Sequence, residues 1–556
     1  MNEDVDLEDV APWLVTFITL IGVGARVLLL ATKGMSLAET VNVWLAGHSL
    51  ADALLWAAKV NQQPPLYYFL LHYWIQLNGD SAYYARLFSV LFSAGTIPFI
   101  YLIGKHAAGE KVGLVAAVIL AASPFHIYFA QETSMYTLLA FNASVAIYAL
   151  VRLLTDPQSR QPIGSQFREY VRAWRNPDPL EPANLGSLCE AQKPQYQSRW
   201  QVRRGLPNRS LAADLTWIVF ILFSALTLLS HNSAVIFLLA VNLFVLGLRF
   251  FQRTKRAEAE SAFQAPSLKN WAVAQIVILA LWAAGSIPLI QQFGTVNQNF
   301  LTPASTWDAL TQALNAFISA SAAIPAIAVA IQILCALLFC LGVVYFRKKL
   351  PQFAFLAALF ALPLLGELII NLWQPVSLPE TLIWTTLPLF LILAAGIAQI
   401  NYRFLILLVL GSLVTINVFS ASDYFRFYQK EDWNTAARDV AGFAKKGDLV
   451  LFNSNIVEIP FDYYFEPYRD YYYIEVEEHG VPLDLAESGI PEPIMTSRDV
   501  PALLSLLDGH ERVWLVYSRD TYTDPTGIIP QTLASQKKLI WNGDFSGGQV
   551  QLYGNP

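Results

Sequence analysis

Residues 33–80 read KGMSLAETVNVWLAGHSLADALLWAAKVNQQPPLYYFLLHYWIQLNGD, an amphipathic stretch that follows a first apolar segment, Trp13–Ala31. It carries Glu39, His48, Lys59, His72 and Asp80, and Gln63-Pro64-Pro65 stands just before an aromatic run. It is too polar to span a bilayer and too long for a simple connection. Loop-closure entropy grows slowly with length, so a loop of this size is tolerated, and loops this long usually have a function of their own. The stretch therefore reads as a roof over a membrane-embedded active or binding site. Pro64-Pro65 shapes that roof, because a proline at a helix start forfeits only an N–H that would be unsatisfied there anyway.

The composition sets the class. Of 556 residues, 55% are hydrophobic and 14% charged, against about 25% charged in an average soluble domain, and the mean hydropathy is +0.42. This is the composition of a polytopic membrane protein. The net charge of −6 says little about partners, since charge placement relative to the bilayer matters more than the sum. The three cysteines, Cys189, Cys335 and Cys340, suggest neither a disulfide framework nor a metal-thiolate site, and H-E-x-x-H is absent. No residue is assigned to a metal. The leader Met1–Val10 is acidic and no A-x-A-like site follows Ala31, so the first apolar segment is expected to be retained as a helix.

With about 20 apolar residues per crossing, spans are expected near 13–31, 83–104, 112–130, 133–154, 214–230, 233–251, 271–291, 322–346, 352–372, 382–400 and 403–420, about eleven in all, with a kink at Ser123-Pro124. Positive charge gathers in alternate loops: Lys105 and Lys111; the arginines of 155–213; Arg249, Arg253, Lys255 and Arg256; Arg347, Lys348 and Lys349. The positive-inside rule puts these loops and the N-terminus in the cytoplasm. The 33–80 loop, the short loops at 123–132, 230–232, 292–320 and 373–381, and everything after 420 then lie outside. The Pro-, Gln- and Arg-rich segment 155–213 is expected to be poorly ordered. Its arginines read as topogenic, so no nucleic-acid partner is expected.

After Ser420 the composition becomes that of a soluble domain. Asp432–Lys445 and Val500–Leu507 have helical spacing, whereas Asp448–Phe452, Arg512–Tyr517 and Gln549–Tyr553 are strand-like. The expected fold class is thus mainly α: a polytopic transmembrane domain over 1–420, a long first extracytoplasmic loop, and a small C-terminal extracytoplasmic α/β domain over 421–556. The tyrosines between Tyr463 and Tyr473 suit sugar stacking, the headgroup layer or packing of the domain.

Several short motifs, taken in order, carry a family resemblance: Pro64-Pro65-Leu66-Tyr67-Tyr68 with His72 and Trp74; Gly79-Asp80-Ser81 and Arg86; Ser123-Pro124-Phe125 leading to Gln131-Glu132; and Leu382-Ile383-Trp384 with Pro388. Over about residues 10–420 the chain resembles the polyprenyl-phosphate-sugar-dependent glycosyltransferases of the GT-C fold, in particular the protein O-mannosyltransferase-like group that includes the aminoarabinose transferases. The resemblance implies transfer of a sugar from a lipid phosphate carrier to an acceptor on the outer face, with inversion at the anomeric carbon. It implies a bacterial inner membrane as the setting, with the lipid-linked sugar and the bilayer as partners. Such chemistry needs a carboxylate to take the acceptor's proton, a cation or metal to hold the departing phosphate, and an apolar groove for the lipid tail.

The chain departs from the family where that chemistry would sit. The family's Asp-Glu-Ala-Glu-Ser falls on Ser36-Leu37-Ala38-Glu39-Thr40, its Gln-Glu-Ala-Arg becomes Gln131-Glu132-Thr133-Ser134, and the Arg-Tyr before the late helix becomes Glu380-Thr381. The usual base and two phosphate-holding arginines are missing. Glu39 is the candidate replacement base and Glu132 a second catalytic candidate, to hold a metal or a sugar hydroxyl. Lys33, Lys59, His72 and His231 are candidates for the phosphate, and Gln63 and Gln131 complete the candidate substrate-binding set. A divalent cation is the cofactor this chemistry admits.

Plainer readings stand beside these. Glu39 suits a solvated helix face, Glu132 a helix cap, His231 an interfacial loop, and His72 with Trp74 membrane anchoring. Arg26 suits snorkelling or an internal pair. An alternative function follows: a GT-C scaffold that has lost catalysis and binds a lipid-linked sugar, a glycan or a partner protein. A transporter is disfavoured, because the sequence shows no internal repeat of the kind many secondary carriers have.

Overall fold

The structure, a computed structural model, describes residues 7–56, 63–157, 207–254, 262–291, 305–319, 325–372 and 379–555. Lys59 and most of the 155–213 segment lie outside these. Among the described residues, nine helices are long and apolar enough to cross a membrane, or up to ten if a bent pair is one crossing. The shorter apolar helix Ala213–Leu228 completes a set that corresponds segment by segment to the spans expected from hydropathy. The protein is a multi-pass membrane protein built mainly of helix.

The chain opens with α1 (Leu7–Val27) and then folds the roof from α2 (Leu37–Gly47), α3 (Leu50–Trp56) and α4 (Leu66–Asn78). Pro65 stands at the N-cap of α4, and Gly79, at φ 89°, ends it with its N–H on the Ile75 carbonyl; a glycine accepts that left-handed backbone without strain. Next come α5 (Ala82–Ala107), α6 (Glu110–Ala122), α7 (Pro124–Ala130) and α8 (Tyr136–Thr155). The α6–α7 pair bends by 55° at Ser123, with Pro124 opening α7. The break leaves carbonyls at the end of α6 without helical partners, and Arg26 meets them: its guanidinium donates to the Leu120 and Ala121 oxygens at 3.1 and 3.0 Å. Arg26 is fully buried, so it is an internal strut rather than a snorkelling side chain.

The helix Thr386–Ala398 is almost wholly buried and forms the central pillar. It lies against Pro325–Tyr345 at backbone contact, since a Cβ on Gly396 would overlap the Leu338 carbonyl oxygen. Small residues allow this approach, and dispersion at such contacts holds helices together where lipid removes most of the hydrophobic drive. The segment expected as a plain loop over 292–320 contains an additional helix, Thr306–Ser319. The last span, Arg403–Phe427, runs past residue 420 without a break.

The C-terminal domain carries a five-stranded sheet in the order β2-β1-β3-β5-β4. The strands are β1 (Asp448–Phe452), β2 (Val476–Gly480), β3 (Arg512–Tyr517), β4 (Lys538–Phe545) and β5 (Gly548–Gly554). β2, β1 and β3 are parallel; β5 and β4 close the sheet as an antiparallel hairpin. The domain packs directly on the roof. Met35, Leu37, Val41, Tyr67 and Leu71 share one buried cluster with Trp433, Phe461, Phe465 and Trp514, so loop and domain lie on the same face of the bundle. Two tyrosines of the run make that joint. Tyr464 Oη accepts from the Met35 N–H at 2.7 Å and Tyr463 Oη donates to the Asp80 carbonyl at 3.2 Å. Tyr471, Tyr472 and Tyr473 stay exposed.

Helix Glu458–Tyr472 and β2 bring an acidic group together away from the roof: Glu458, Asp462 and Glu466 on the helix, Glu478 on β2 and Asp484 after it, opposed by Arg469 and faced by His479. Burial, then the neighbouring Glu478 carboxylate, pushes the Asp462 carboxyl up to about 9, and burial pushes Glu458 up to about 7. A carboxyl raised in the folded state stabilises the fold below its unfolded pKa, and that stability is lost as pH rises through the folded value. Melting temperature is therefore expected to fall between pH 6 and pH 9, and Asp462→Asn is expected to flatten the fall. A variant that melts with the same pH dependence as the parent would refute this.

Candidate active site

The first loop and the last span meet in a buried ionic chain. Glu39, on the first turn of α2, is fully enclosed. Its Oε1 accepts from Arg86 Nε at 2.8 Å and from the Thr133 N–H at 3.0 Å. Its Oε2 accepts from Arg86 Nη2 at 2.9 Å, Lys430 Nζ at 2.7 Å and the Ser36 N–H at 3.1 Å. Arg86 also donates to the Leu30, Lys33 and Gly34 carbonyls. Lys430 continues to Glu132 Oε1 at 2.8 Å and approaches the Gln131 carbonyl at 3.4 Å. The order is Arg86, Glu39, Lys430, Glu132, with charges alternating. The condition for burying ions is that each be paired and its remaining polar sites hydrogen-bonded; Arg86, Glu39 and Lys430 meet it in full, and Glu132 is paired with Lys430.

The two carboxylates differ. Burial alone would raise Glu39, but Lys430 and the Arg86 fork outweigh it and hold it below the ordinary carboxylate range. For Glu132, burial and the Glu39 charge prevail over the single Lys430 contact, and its carboxyl is raised. Glu132 lines a cavity of about 710 Å³ and Glu39 does not. The expectation of Glu39 as base is corrected on this geometry: a carboxylate has about four lone-pair sites, and all of them are turned inward on protein donors.

The cavity lies between roof, bundle and C-terminal domain. The bundle side supplies Pro124, Phe125, Phe129, Glu132 and Glu380, the roof supplies Leu37, Val41 and Gln63, and the C-terminal domain supplies Glu431, Glu492 and Arg519. Glu431 accepts from the Leu37 N–H at 2.6 Å and from Trp433 Nε1 at 2.9 Å, which fixes the start of α2.

The other candidates separate. Gln63 lines the cavity and accepts from the Asn232 N–H at 3.3 Å. Lys33 Nζ donates to the Tyr428 carbonyl and lies over the Tyr424 ring at 5.3 Å, and burial with the Lys430 and Arg86 charges lowers its pKa. His231 is buried beside Ser233 and is held down at about 4 by burial, so it is neutral at pH 7. Burial thus works against the expected phosphate-holding role. His72 contacts the Ala46 carbonyl at 2.8 Å, and Gln131 donates to the Arg26 and Leu28 carbonyls; both hold the roof and the loop instead of facing the cavity. Lys59 lies outside the described residues. Among those residues, no three His, Cys, Asp or Glu side chains group to hold a metal ion. Lys430, Glu431, Glu492 and Arg519 did not stand out in the sequence; Lys430 carried only the signal of a charge run closing the last span.

Against known structures, the chain matches ArnT from Cupriavidus metallidurans in the apo state with a TM-score of 0.56 at 11% identity, covering 98% of each chain. The same protein bound to undecaprenyl phosphate matches at 0.56 and 12%, covering 97% of each. An Archaeoglobus fulgidus oligosaccharyltransferase matches at 0.51 and 10%, over 98% of this chain and 73% of that one. The chain has the GT-C fold. The sequence model of the dolichyl-phosphate-mannose-protein mannosyltransferase family matches residues 62–166 of this GT-C chain, the part that runs from the roof's end through Arg86 and Glu132. No curated protein matches it.

Proposed function

We propose that the protein is an integral-membrane glycosyltransferase that moves a sugar from a polyprenyl-phosphate donor to an acceptor hydroxyl on the roof side of the bilayer, the extracytoplasmic face of a bacterial inner membrane. One observation carries the reading: Glu132, a largely buried carboxylate with a raised pKa, is set into the wall of a cavity lined by apolar and aromatic side chains with a few polar groups among them. A base works best when its pKa approaches the working pH, and a mostly apolar cavity with a few polar groups is the usual form of a small-molecule site. In the reaction the acceptor oxygen bonds to the anomeric carbon, its proton passes to Glu132, and the bond to phosphate breaks to release polyprenyl phosphate. Arg86, Glu39 and Lys430 are positioning residues that hold Glu132.

The scaffold reading is favoured by a different observation, the crowding of Glu132, Glu380, Glu431 and Glu492 on the lining, which opposes the negative charge that builds on a departing phosphate. The test is incubation of the purified protein with labelled polyprenyl-phosphate sugars. Time-dependent release of polyprenyl phosphate, by transfer or hydrolysis, is the expected result. Tight lipid binding with no release would overturn transfer in favour of a binding scaffold.

A further inference from the structure

In open α/β sheets, ligands bind outside the carboxyl ends of parallel strands where successive connections leave in opposite directions. Here that point lies between β1 and β3. The chain leaves β1 through helix Glu458–Tyr472 to β2 on one side, and leaves β3 through helix Ile528–Gln536 to the β4–β5 hairpin on the other. The C-terminal domain turns this crevice toward the membrane bundle: Ile456 follows β1, Glu492 follows β2 and Arg519 follows β3, and all three line the cavity.

The crevice is built from buried side chains. Asn453 ties the two strand ends together, donating to the Ser518 carbonyl at 2.7 Å and accepting from the Ser518 N–H at 2.8 Å. Asn455 Oδ1 accepts from the Glu492 N–H at 2.9 Å, and its Nδ2 donates to the Leu483 and Ile490 carbonyls. Both asparagines are fully buried. They hold an ion pair, Arg519 with Glu492, in which both residues have left-handed backbones, φ 56° and 51°. Such conformations are costly for non-glycine residues and cluster at ligand sites. The Arg519 side chain keeps about a third of its surface exposed. Among the described residues of the lining it is the one Lys or Arg, set against four glutamates.

We propose that this crevice binds the phosphate of a lipid-linked ligand, with Arg519 as its anchor and Glu492 as the counter-ion it exchanges. The guanidinium fork fits phosphate in two parallel hydrogen bonds, and a phosphate placed elsewhere on this lining would face glutamates alone. The inference rests on the ligand class of the proposed function but not on turnover.

The test is therefore equilibrium binding of undecaprenyl phosphate to the full-length protein in detergent, with undecaprenol and inorganic phosphate as parallel probes. Arg519→Asn removes the charge while tolerating the left-handed backbone. It is expected to weaken undecaprenyl phosphate about 10- to 100-fold, the cost of a lost charged hydrogen-bond pair, and to leave undecaprenol unchanged. Glu492→Gln is expected to tighten the phosphate lipid. Arg519→Lys keeps the charge and should fall between parent and Asn. Equal affinity of Arg519→Asn and parent for undecaprenyl phosphate, or an equal loss for undecaprenol, would overturn the anchor. Inorganic phosphate binding as tightly as the lipid would overturn the lipid as the source. Absence of transfer by the parent with lipid binding intact would count against the proposed function alone.

Discussion

Arg86→Ala is expected to destabilise the protein by about 3–5 kcal/mol, the cost of removing one partner from a buried ion pair. The substitution takes away two charged donors from Glu39 and the partners of three roof carbonyls, Leu30, Lys33 and Gly34. The Glu39 carboxylate cannot turn to water, because Glu39 is fully buried. The check is thermal unfolding of the purified protein with hydrogen exchange over residues 37–47, where protection should fall first. Arg86→Lys keeps the charge but not the planar fork, and should cost less. The double variant Arg86→Met with Glu39→Gln removes both charges and should be more stable than Arg86→Ala, since the penalty comes from the charge left unpaired. Arg86→Ala melting like the parent would remove the roof anchor from this account. The pH dependence has the opposite sign to that of Asp462. Glu39 is held low in the fold, so its contribution is present above the unfolded carboxylate pKa and is lost as pH falls through the folded value.

This anchor also shows where the sequence stops being legible. The spans, the roof, β1 and β3 follow from local pattern: apolar length, Pro64-Pro65 before an aromatic run, and short runs of β-branched and aromatic residues. Glu39 was visible as the one acid at the start of α2, but its role was not, because its partner Lys430 lies at the far end of the membrane domain. A lysine after Arg426-Phe427-Tyr428-Gln429 reads as the wet end of a span. Only the fold shows that it is buried between two glutamates. Helix Glu458–Tyr472 was hidden for a different reason. Its Phe- and Tyr-rich composition carries strand propensity and Pro467 interrupts it, while packing of Phe461 and Phe465 against the roof cluster selects the helix. Arg519 and Glu492 had no local signal, since their meaning comes from the ends of strands that are not adjacent in the chain.

Glu132→Gln is expected to reduce turnover about 10²- to 10⁴-fold, the range for loss of a general base, with little loss of stability. The amide occupies the same space, its oxygen can still accept from Lys430, and Lys430 retains its contact with Glu39 at 2.7 Å. Glu39→Gln should behave differently, because it withdraws charge from Arg86 and Lys430 together: stability should fall, and any loss of turnover should follow the loss of fold. Separating the two requires rates measured at temperatures where each variant is still folded, with donor affinity measured alongside. For Glu132→Gln, KM for the donor should hold while kcat falls, the pattern of an interaction made only in the transition state. The parent's rate should rise with pH through a limb above the ordinary carboxylate range, because burial and the Glu39 charge raise the Glu132 carboxyl and only the ionised form accepts a proton. That limb should disappear in Glu132→Gln. Parent-like turnover in this variant would move the base elsewhere on the cavity wall, where Glu492 is paired with Arg519 and the other acids are Glu380 and Glu431. Of these, Glu431 is engaged by the Leu37 N–H and Trp433, which leaves Glu380 as the side chain to substitute next.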